Sequence, residues 1–369
     1  MAAIITNFLR RIWRAKSDRK RREVMQHGKS VPLSHIAIRD GSCEHKVHAR
    51  ASCLSLAVQM QSWVFVAVAI VIWGVTFAST RELLEDFSSL EILLLRFSLA
   101  WVALWGIERL RGIVKVGCWR DEWIFAAMGF TGIVAYQFLE NCAIYYTNAS
   151  NVAILVSFGP VVTAFMARVF VKGVQFSVRL VVGSLVAVCG VALISFNGLV
   201  EFELRPIGDA MALCAMACWG FYSILLDCAN DRGVSPLVAI RKAFGWSLAM
   251  MVPFAAWGTT ESGICALDGS FAVILDADVN AERFASVANW MNIAFLGFLA
   301  SAASFVLWSA ACRTIGVVKM TVALYITPIV GVVFAAVFLG ERVTQLEIVG
   351  GIVILVGVVL ATKVKGGGK

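Results

Sequence analysis

The sequence predicts an all-α membrane protein: ten transmembrane helices arranged as two inverted five-helix repeats. Three observations predict it. The chain is 60% hydrophobic and 15% charged, with a mean hydropathy of +0.82 over 369 residues, too apolar for a soluble protein of that length. Its apolar residues gather into ten runs long enough to cross a hydrocarbon core, which takes about 20 residues per helix. A long stretch is also written twice: Gly129 to Phe170 returns 168 residues later as Gly297 to Phe338.

The repeat pairs Gly129-Phe130 with Gly297-Phe298, Ala135 with Ala303, Leu139 with Leu307, Ala143 with Ala311, and Pro160 with Pro328. Upstream, at an offset of 145 or 146, Trp73-Gly74 pairs with Trp219-Gly220, Arg96 with Arg241 and Trp101 with Trp246. The offset grows because the second copy carries an insert, about 258–288, where the first has a short linker. The copies span 62–197 and 208–363, and such a repeat in an apolar chain indicates two bundles derived from one unit.

The runs are placed at 62–80, 88–107, 123–146, 150–171, 178–197, 208–228, 235–257, 289–312, 316–339 and 345–363. Before them lies a tail, 1–61, with 12 Lys/Arg against four acids and all four histidines; the rest of the chain balances at 20 against 20, so the tail holds the whole net charge of +8. Arg19-Lys20-Arg21-Arg22 resembles a nucleic-acid or localisation patch, but beside a membrane helix the positive-inside rule reads it as a cytoplasmic anchor. The tail has no apolar run fit for a signal peptide, so the helix from Ser62 reads as an uncleaved signal-anchor. Met60, immediately before it, offers a downstream start.

With the tail inside, the loops alternate. Arg109, Arg111, Lys115 and Arg120 fall inside, as do Lys172, Arg179, Arg232, Arg313 and Lys319. Glu82, Glu85, Asp86, Glu201, Glu203 and the insert acids Glu261, Asp268, Asp276, Asp278 and Glu282 fall outside, where the only arginines are Arg81, Arg205, Arg283 and Arg342, and Lys363, Lys365 and Lys369 return the C-terminus to the cytoplasm. Five helices per copy is odd, so the second copy enters upside down. A site at the interface of inverted repeats can open to either side by rocking, which points to a transporter rather than a receptor or enzyme.

The residues also carry a family resemblance. Trp73-Gly74-Val75-Thr76-Phe77, Arg96, the run from Ala143 through Tyr146-Thr147 to Ala149, and the Pro160 helix resemble the EamA branch of the drug/metabolite transporter superfamily. So do Trp219-Gly220, Pro328 and Leu339-Gly340-Glu341-Arg342 in the second copy. The resemblance covers about 62–363 and implies ten helices in two inverted halves, with export of amino acids, related metabolites or drugs across the plasma membrane, a bacterial-type inner membrane. The first copy departs from it: Lys172-Gly173 stands where the second has Gly340-Glu341-Arg342.

Ionisable groups at membrane depth are costly and therefore candidates for function. Arg96 and Arg241 either attract an anionic group in a central cavity or snorkel and pair structurally; Lys242 beside Arg241 favours the interfacial reading there. Glu140 is a candidate proton carrier or cation site, its protonation set by desolvation against pairing with Arg96, or else a structural partner of Arg96 or Arg168. Pro160 and Pro328 remove backbone donors and are expected to kink their helices, as gate hinges or simply as structure. Trp73, Thr76, Tyr136, Gln137, Ser157, Trp219, Tyr222, Ser304, Trp308 and Tyr325 complete the expected cavity lining. Gly183, Gly190, Gly350, Gly351 and Gly357 read as small-residue packing seams.

The ten cysteines are scattered without metal-ligand spacing, and no phosphate-binding glycine motif is present, which argues against cofactors, metal sites and an ATP-driven pump. The membrane region has no histidine and no nucleophile–base pair, so an embedded enzyme lacks its chemistry. The expected partners are a small-molecule substrate and the bilayer, with no nucleic acid; monomer and homodimer both stay open. The leading expectation is a secondary-active exporter of small metabolites working by alternating access. The alternative is a lipid-handling flippase, or a subunit of one, on the same fold.

Overall fold

The structure is a computed structural model, and it describes residues 41–112, 121–147, 149–170, 177–196, 205–257, 282–338, 340 and 342–362. The tail before 41, the insert from 258 to 281 and the Leu339 and Glu341 positions lie outside them.

The first helix, α1, runs Gly41–Leu83, far longer than the expected 62–80, with its membrane-length apolar part at Leu56–Thr80. It starts inside the stretch read as tail because 41–83 contains no proline to stop it. α2, Ser89–Leu110, opens on a capping box in which Ser88 and Glu91 satisfy each other's backbone N–H. α3 comprises Glu122–Gly129, a π-helical stretch Phe130–Ala135 and Tyr136–Tyr146. α4 comprises Ala149–Val156 and Gly159–Phe170, separated by a turn at Ser157-Phe158. α5 is Val178–Phe196, α6 Pro206–Asp231 and α7 Pro236–Trp257. α8 repeats the pattern of α3: Val287–Ala294, a π-helical stretch Phe295–Ala303, then Ser304–Ile315. α9 repeats that of α4, with Val317–Ala323, a 3₁₀ turn Leu324–Ile326 and Thr327–Phe338, and α10 is Gln345–Thr362.

Among the described residues nine helices are long and apolar enough to cross a membrane. α7, at 22 residues, is not one of these nine, and it carries Arg241-Lys242 near its start.

The packing exchanges partners between the copies. α1 lies against α8 and α9, whereas α6, its counterpart, lies against α3 and α4; α2 packs on α7 and α8, and α7 on α2 and α3. The repeated Gly-Phe explains part of this. A Cβ at Gly129 would collide with the Ala243 and Ser247 backbone of α7, and one at Gly297 would collide with Leu99 and the Arg96 carbonyl of α2. The same glycine therefore serves the same close approach twice. The main core of Phe97, Phe125, Tyr222, Phe244, Phe305 and Trp308 lies where these helices meet.

α5 and α10 form a separate pair through glycine. A Cβ at Gly190 would sit 2.6 Å from the Gly350 carbonyl oxygen, and one at Gly350 would sit 2.7 Å from that of Gly190. Gly183 and Gly357 face the opposing backbone as closely; Gly351 instead has only Ile329 at 3.9 Å. Gly350→Leu is expected to part α5 from α10 and lower the melting temperature of the purified protein, while Gly351→Ala leaves it within about 2 °C, in keeping with a near-neutral substitution. Equal melting of the two variants would remove the seam as a source of stability.

Candidate functional site

Arg96 stands about two turns into α2. Its Nε donates to the Ser301 hydroxyl at 2.9 Å, inside the π-helical stretch of α8, and its guanidinium lies 5.2 Å from the ring centre of Phe97. A guanidinium has five N–H donors. The Ser301 bond is the one hydrogen bond Arg96 makes among the described residues, so its terminal nitrogens keep their donors unspent. Glu140, on α3, accepts from the Tyr136 hydroxyl one turn away at 2.9 Å. Arg96 and Glu140 are close enough for their charges to interact, yet no ion pair closes between them, and Arg168 is exposed to solvent or lipid elsewhere on α4.

Aromatic rings connect these two polar points. Tyr136 meets Trp219 at 5.3 Å between centroids, Trp219 meets Tyr222 at 5.1 Å, and Tyr222 meets Phe305 edge-on at 6.5 Å. Phe305 contacts Trp73 at 5.6 Å and Phe244 at 5.4 Å, and Phe244 reaches Phe97 at 5.0 Å, next to Arg96. Trp73 also packs on Trp308 at 5.5 Å and donates its indole N–H to the Ala300 carbonyl at 3.0 Å. A π-helical stretch leaves carbonyls out of the usual i−4 ladder, and Ala300 lies in one. Helices from both copies thus supply one aromatic wall with a cationic end and an anionic end.

Of the remaining expected lining residues, Thr76 bonds back to the Trp73 carbonyl at 2.6 Å, Ser157 to Ile154 at 2.6 Å and Ser304 to Leu299 at 2.8 Å. Their hydroxyls are spent on their own helices. Gln137 is half-buried beside Tyr136. Tyr222 and Trp308 are fully buried, and among the described residues neither the Tyr222 hydroxyl nor the Trp308 indole N–H has a hydrogen-bond partner. Tyr325 lies apart, in the cluster with Leu180, Ala187 and Ile354. Pro160 and Pro328 each occupy the second residue of the segment that resumes after the interruption in α4 and α9, where a missing N–H costs no helical bond.

Arg241 does not join Arg96. It pairs with Glu108 near the end of α2, twelve residues and so about 18 Å along the helix from Arg96. Lys242 pairs with Glu122 and Arg232 with Asp121 at 2.6 Å, so these cations tie α6 and α7 to the ends of α2 and α3. Sequence reasoning missed Ser301, Phe305, Phe97 and Phe244, and a second buried cluster. In it Arg283 pairs with Glu91 at 3.0 Å, both side chains 3% exposed. The Ala-Ser composition of 300–304 was the one available hint of Ser301, since small residues mark a close helix approach.

The EamA-like transporter family model matches residues 61–196 and again 206–363. Over 312 residues the chain is 29% identical to a probable terminal-alkyne amino-acid exporter of Streptantibioticus cattleyicolor, covering 82% of this chain and 93% of that protein. It is 22% identical to a probable amino-acid metabolite efflux pump of Escherichia coli over 80% of this chain and 92% of the other. A solved crystal structure at 17% identity superposes with a TM-score of 0.64, over 82% of this chain and 96% of that one, which shows a shared fold. With its apolar helices, these relatives make the chain a multi-pass membrane protein of the transporter kind.

Proposed function

The chain belongs to the EamA-like transporter family, and we propose that it is a secondary-active exporter of amino acids or related small metabolites. In this reading α7 is the tenth span. The two five-helix copies are inverted about an axis in the membrane plane, the protein sits in the plasma membrane with both termini cytoplasmic, and the interface between the copies opens alternately to either side. The exchanged packing of α1 with α8–α9 and of α6 with α3–α4 supports that symmetry. The relatives, a probable amino-acid exporter and a probable amino-acid metabolite efflux pump, support the substrate class.

The observation that carries the proposal is Arg96: a charge within an apolar helix that spends one donor on Ser301 and keeps the others for an incoming group. A carboxylate accepts two parallel N–H bonds from a guanidinium, so it is the anionic group such a fork fits best. The aromatic wall from Trp73 to Tyr136 suits an apolar or aromatic side chain on the same molecule. Glu140, held by Tyr136, is the group placed to carry a proton or to meet a cationic part of the substrate.

The test is flux of labelled amino acids and related metabolites in proteoliposomes, with and without an imposed pH gradient. Saturable flux of one class, stimulated by the gradient, is expected, and in Glu140→Gln the stimulation is expected to vanish. A Glu140→Gln variant with unchanged rate and unchanged pH response would remove proton coupling through this residue. Scrambling of labelled lipids without flux of any solute would overturn the exporter reading in favour of lipid handling.

A further inference from the structure

Alternating opening needs two bodies that move against each other, and the exchanged packing sorts eight helices into them. α1 and α2 lie with α8 and α9, while α3 and α4 lie with α6 and α7. Each body takes two helices from each copy, so an axis in the membrane plane carries one body onto the other. α2 and α7 also pack on each other along the seam between the bodies. Phe97 meets Phe244 there at 5.0 Å, and a Cβ at Gly245 would collide with the Trp101 indole.

The polar ties divide along the same line. Arg232–Asp121 and Lys242–Glu122 stay inside the second body, and Arg283–Glu91 and the Asn289–Asp86 bond stay inside the first. Two of these ties are equivalent, since at the repeat's offsets of 168 and 146 Asp121 corresponds to Asn289 and Asp86 to Arg232. Arg241–Glu108 differs, because it crosses the seam. Glu108 stands near the end of α2 and Arg241 near the start of α7, with side chains 6% and 12% exposed, at the end the charge pattern puts at the cytoplasm. At the 145-residue offset that pairs Arg96 with Arg241, Glu108 corresponds to Pro253, so the opposite end of the seam lacks the acid. The same arginine is held by a carboxylate in one copy and left without one in the other. An ion pair suits a contact that parts in every cycle: as the seam opens, hydration of both charges replaces most of the lost attraction, whereas an apolar contact exposes surface that water solvates poorly.

We infer that Arg241–Glu108 is the latch of the cytoplasmic gate, and that the missing acid at Pro253 biases the resting protein to open outward. The inference rests on the alternating-access reading. Loading from the cytoplasm then requires this pair to part, while Arg232–Asp121 and Lys242–Glu122 stay closed and move with their body.

The test is hydrogen–deuterium exchange of the purified full-length protein in nanodiscs, with flux of the twenty tritiated L-amino acids measured in proteoliposomes. In Glu108→Gln the amides of 104–110 and 236–242 are expected to exchange at least about threefold faster, and those of 84–91 and 249–253 slower, because freeing one end shifts the population away from opening at the other. Faster exchange at the cytoplasmic end alone marks a local strut and would overturn the latch, as would no change at either end. A second pair of variants does not depend on Glu108→Gln folding. Bridging Glu108→Cys/Arg241→Cys with a reductant-cleavable bis-methanethiosulfonate reagent is expected to lower flux at least about tenfold relative to wild type given the same reagent, with recovery on reduction. The same bridge in Asp121→Cys/Arg232→Cys lies within one body and is expected to leave flux within about twofold. Undiminished flux through the first bridge, or equal loss with both, would overturn the latch and leave the exporter reading standing. No amino-acid flux in the wild type, with the reciprocal exchange intact, would overturn the substrate class and keep the latch.

Discussion

Arg96→Ala is expected to reduce flux at low substrate concentration by at least about thirtyfold, because truncating one partner of a desolvated charge pair costs on the order of 2–5 kcal/mol. The fold is expected to survive. The one protein hydrogen bond lost is that to Ser301, worth about 1 kcal/mol, and removing a poorly solvated charge offsets part of it. Arg96→Lys separates charge from geometry: it keeps the cation but loses the planar fork, and partial recovery is expected. Flux and thermal unfolding measured on the same preparations decide the matter. An Arg96→Ala protein that unfolds normally and transports at the wild-type rate would show that the substrate is not anchored there. If the variant is inactive only because it melts early, Arg96 is a structural strut between α2 and α8.

The class of fold was legible because it rests on quantities a chain displays along its length. Apolar run length shows the spans, the Gly129-Phe130/Gly297-Phe298 pairing shows the copies, and the nine apolar helices agree with all but one expected span. That one, α7, contains Arg241 and Lys242, and the structure shows what they do there: each holds an acid on a neighbouring helix. The glycine seam was legible at Gly183, Gly190, Gly350 and Gly357 and misleading at Gly351, since rotation about the helix axis decides which glycine meets a backbone.

The site was harder. Arg96 stood out because a charge in an apolar run always does, but its partner Ser301 belongs to a helix two hundred residues later, and its alignment depends on the π-helical register of 295–303. No periodicity announces such a register. Tyr325 and Arg241 share residue type with Tyr136 and Arg96, yet the structure turns Tyr325 to α5 and α10 and places Arg241 at the end of α2. The hydroxyls of Thr76, Ser157 and Ser304 were chemically plausible for a lining, but bonds to their own helix backbones take them.

The second large effect is expected at Arg283. Its guanidinium pairs with Glu91 at 3.0 Å, donates to the Asp86 carbonyl at 3.3 Å and lies 4.8 Å from the centre of Phe87. Asn289 joins the same cluster, donating to the Asp86 carboxylate at 2.6 Å and to the Arg283 carbonyl at 2.9 Å. The cluster clamps the α1–α2 turn onto the segment that leads into α8, at the end the charge pattern puts outside. Arg283→Met strands the Glu91 carboxylate at 3% exposure, and breaking a buried pair in this way costs about 3–5 kcal/mol. A fall of roughly 5–15 °C in melting temperature is expected for Arg283→Met. Glu91→Gln is expected to cost less, because an amide is cheaper to bury than a charge and its oxygen can still accept the Ser88 N–H. Arg283→Met combined with Glu91→Met removes both charges, so the double variant is expected to melt above Arg283→Met alone: the stranded carboxylate, and not the missing contact, carries most of the penalty. If the two losses simply add, the pair contributes as two independent packing groups and the clamp is apolar, resting on Phe87 and Phe284.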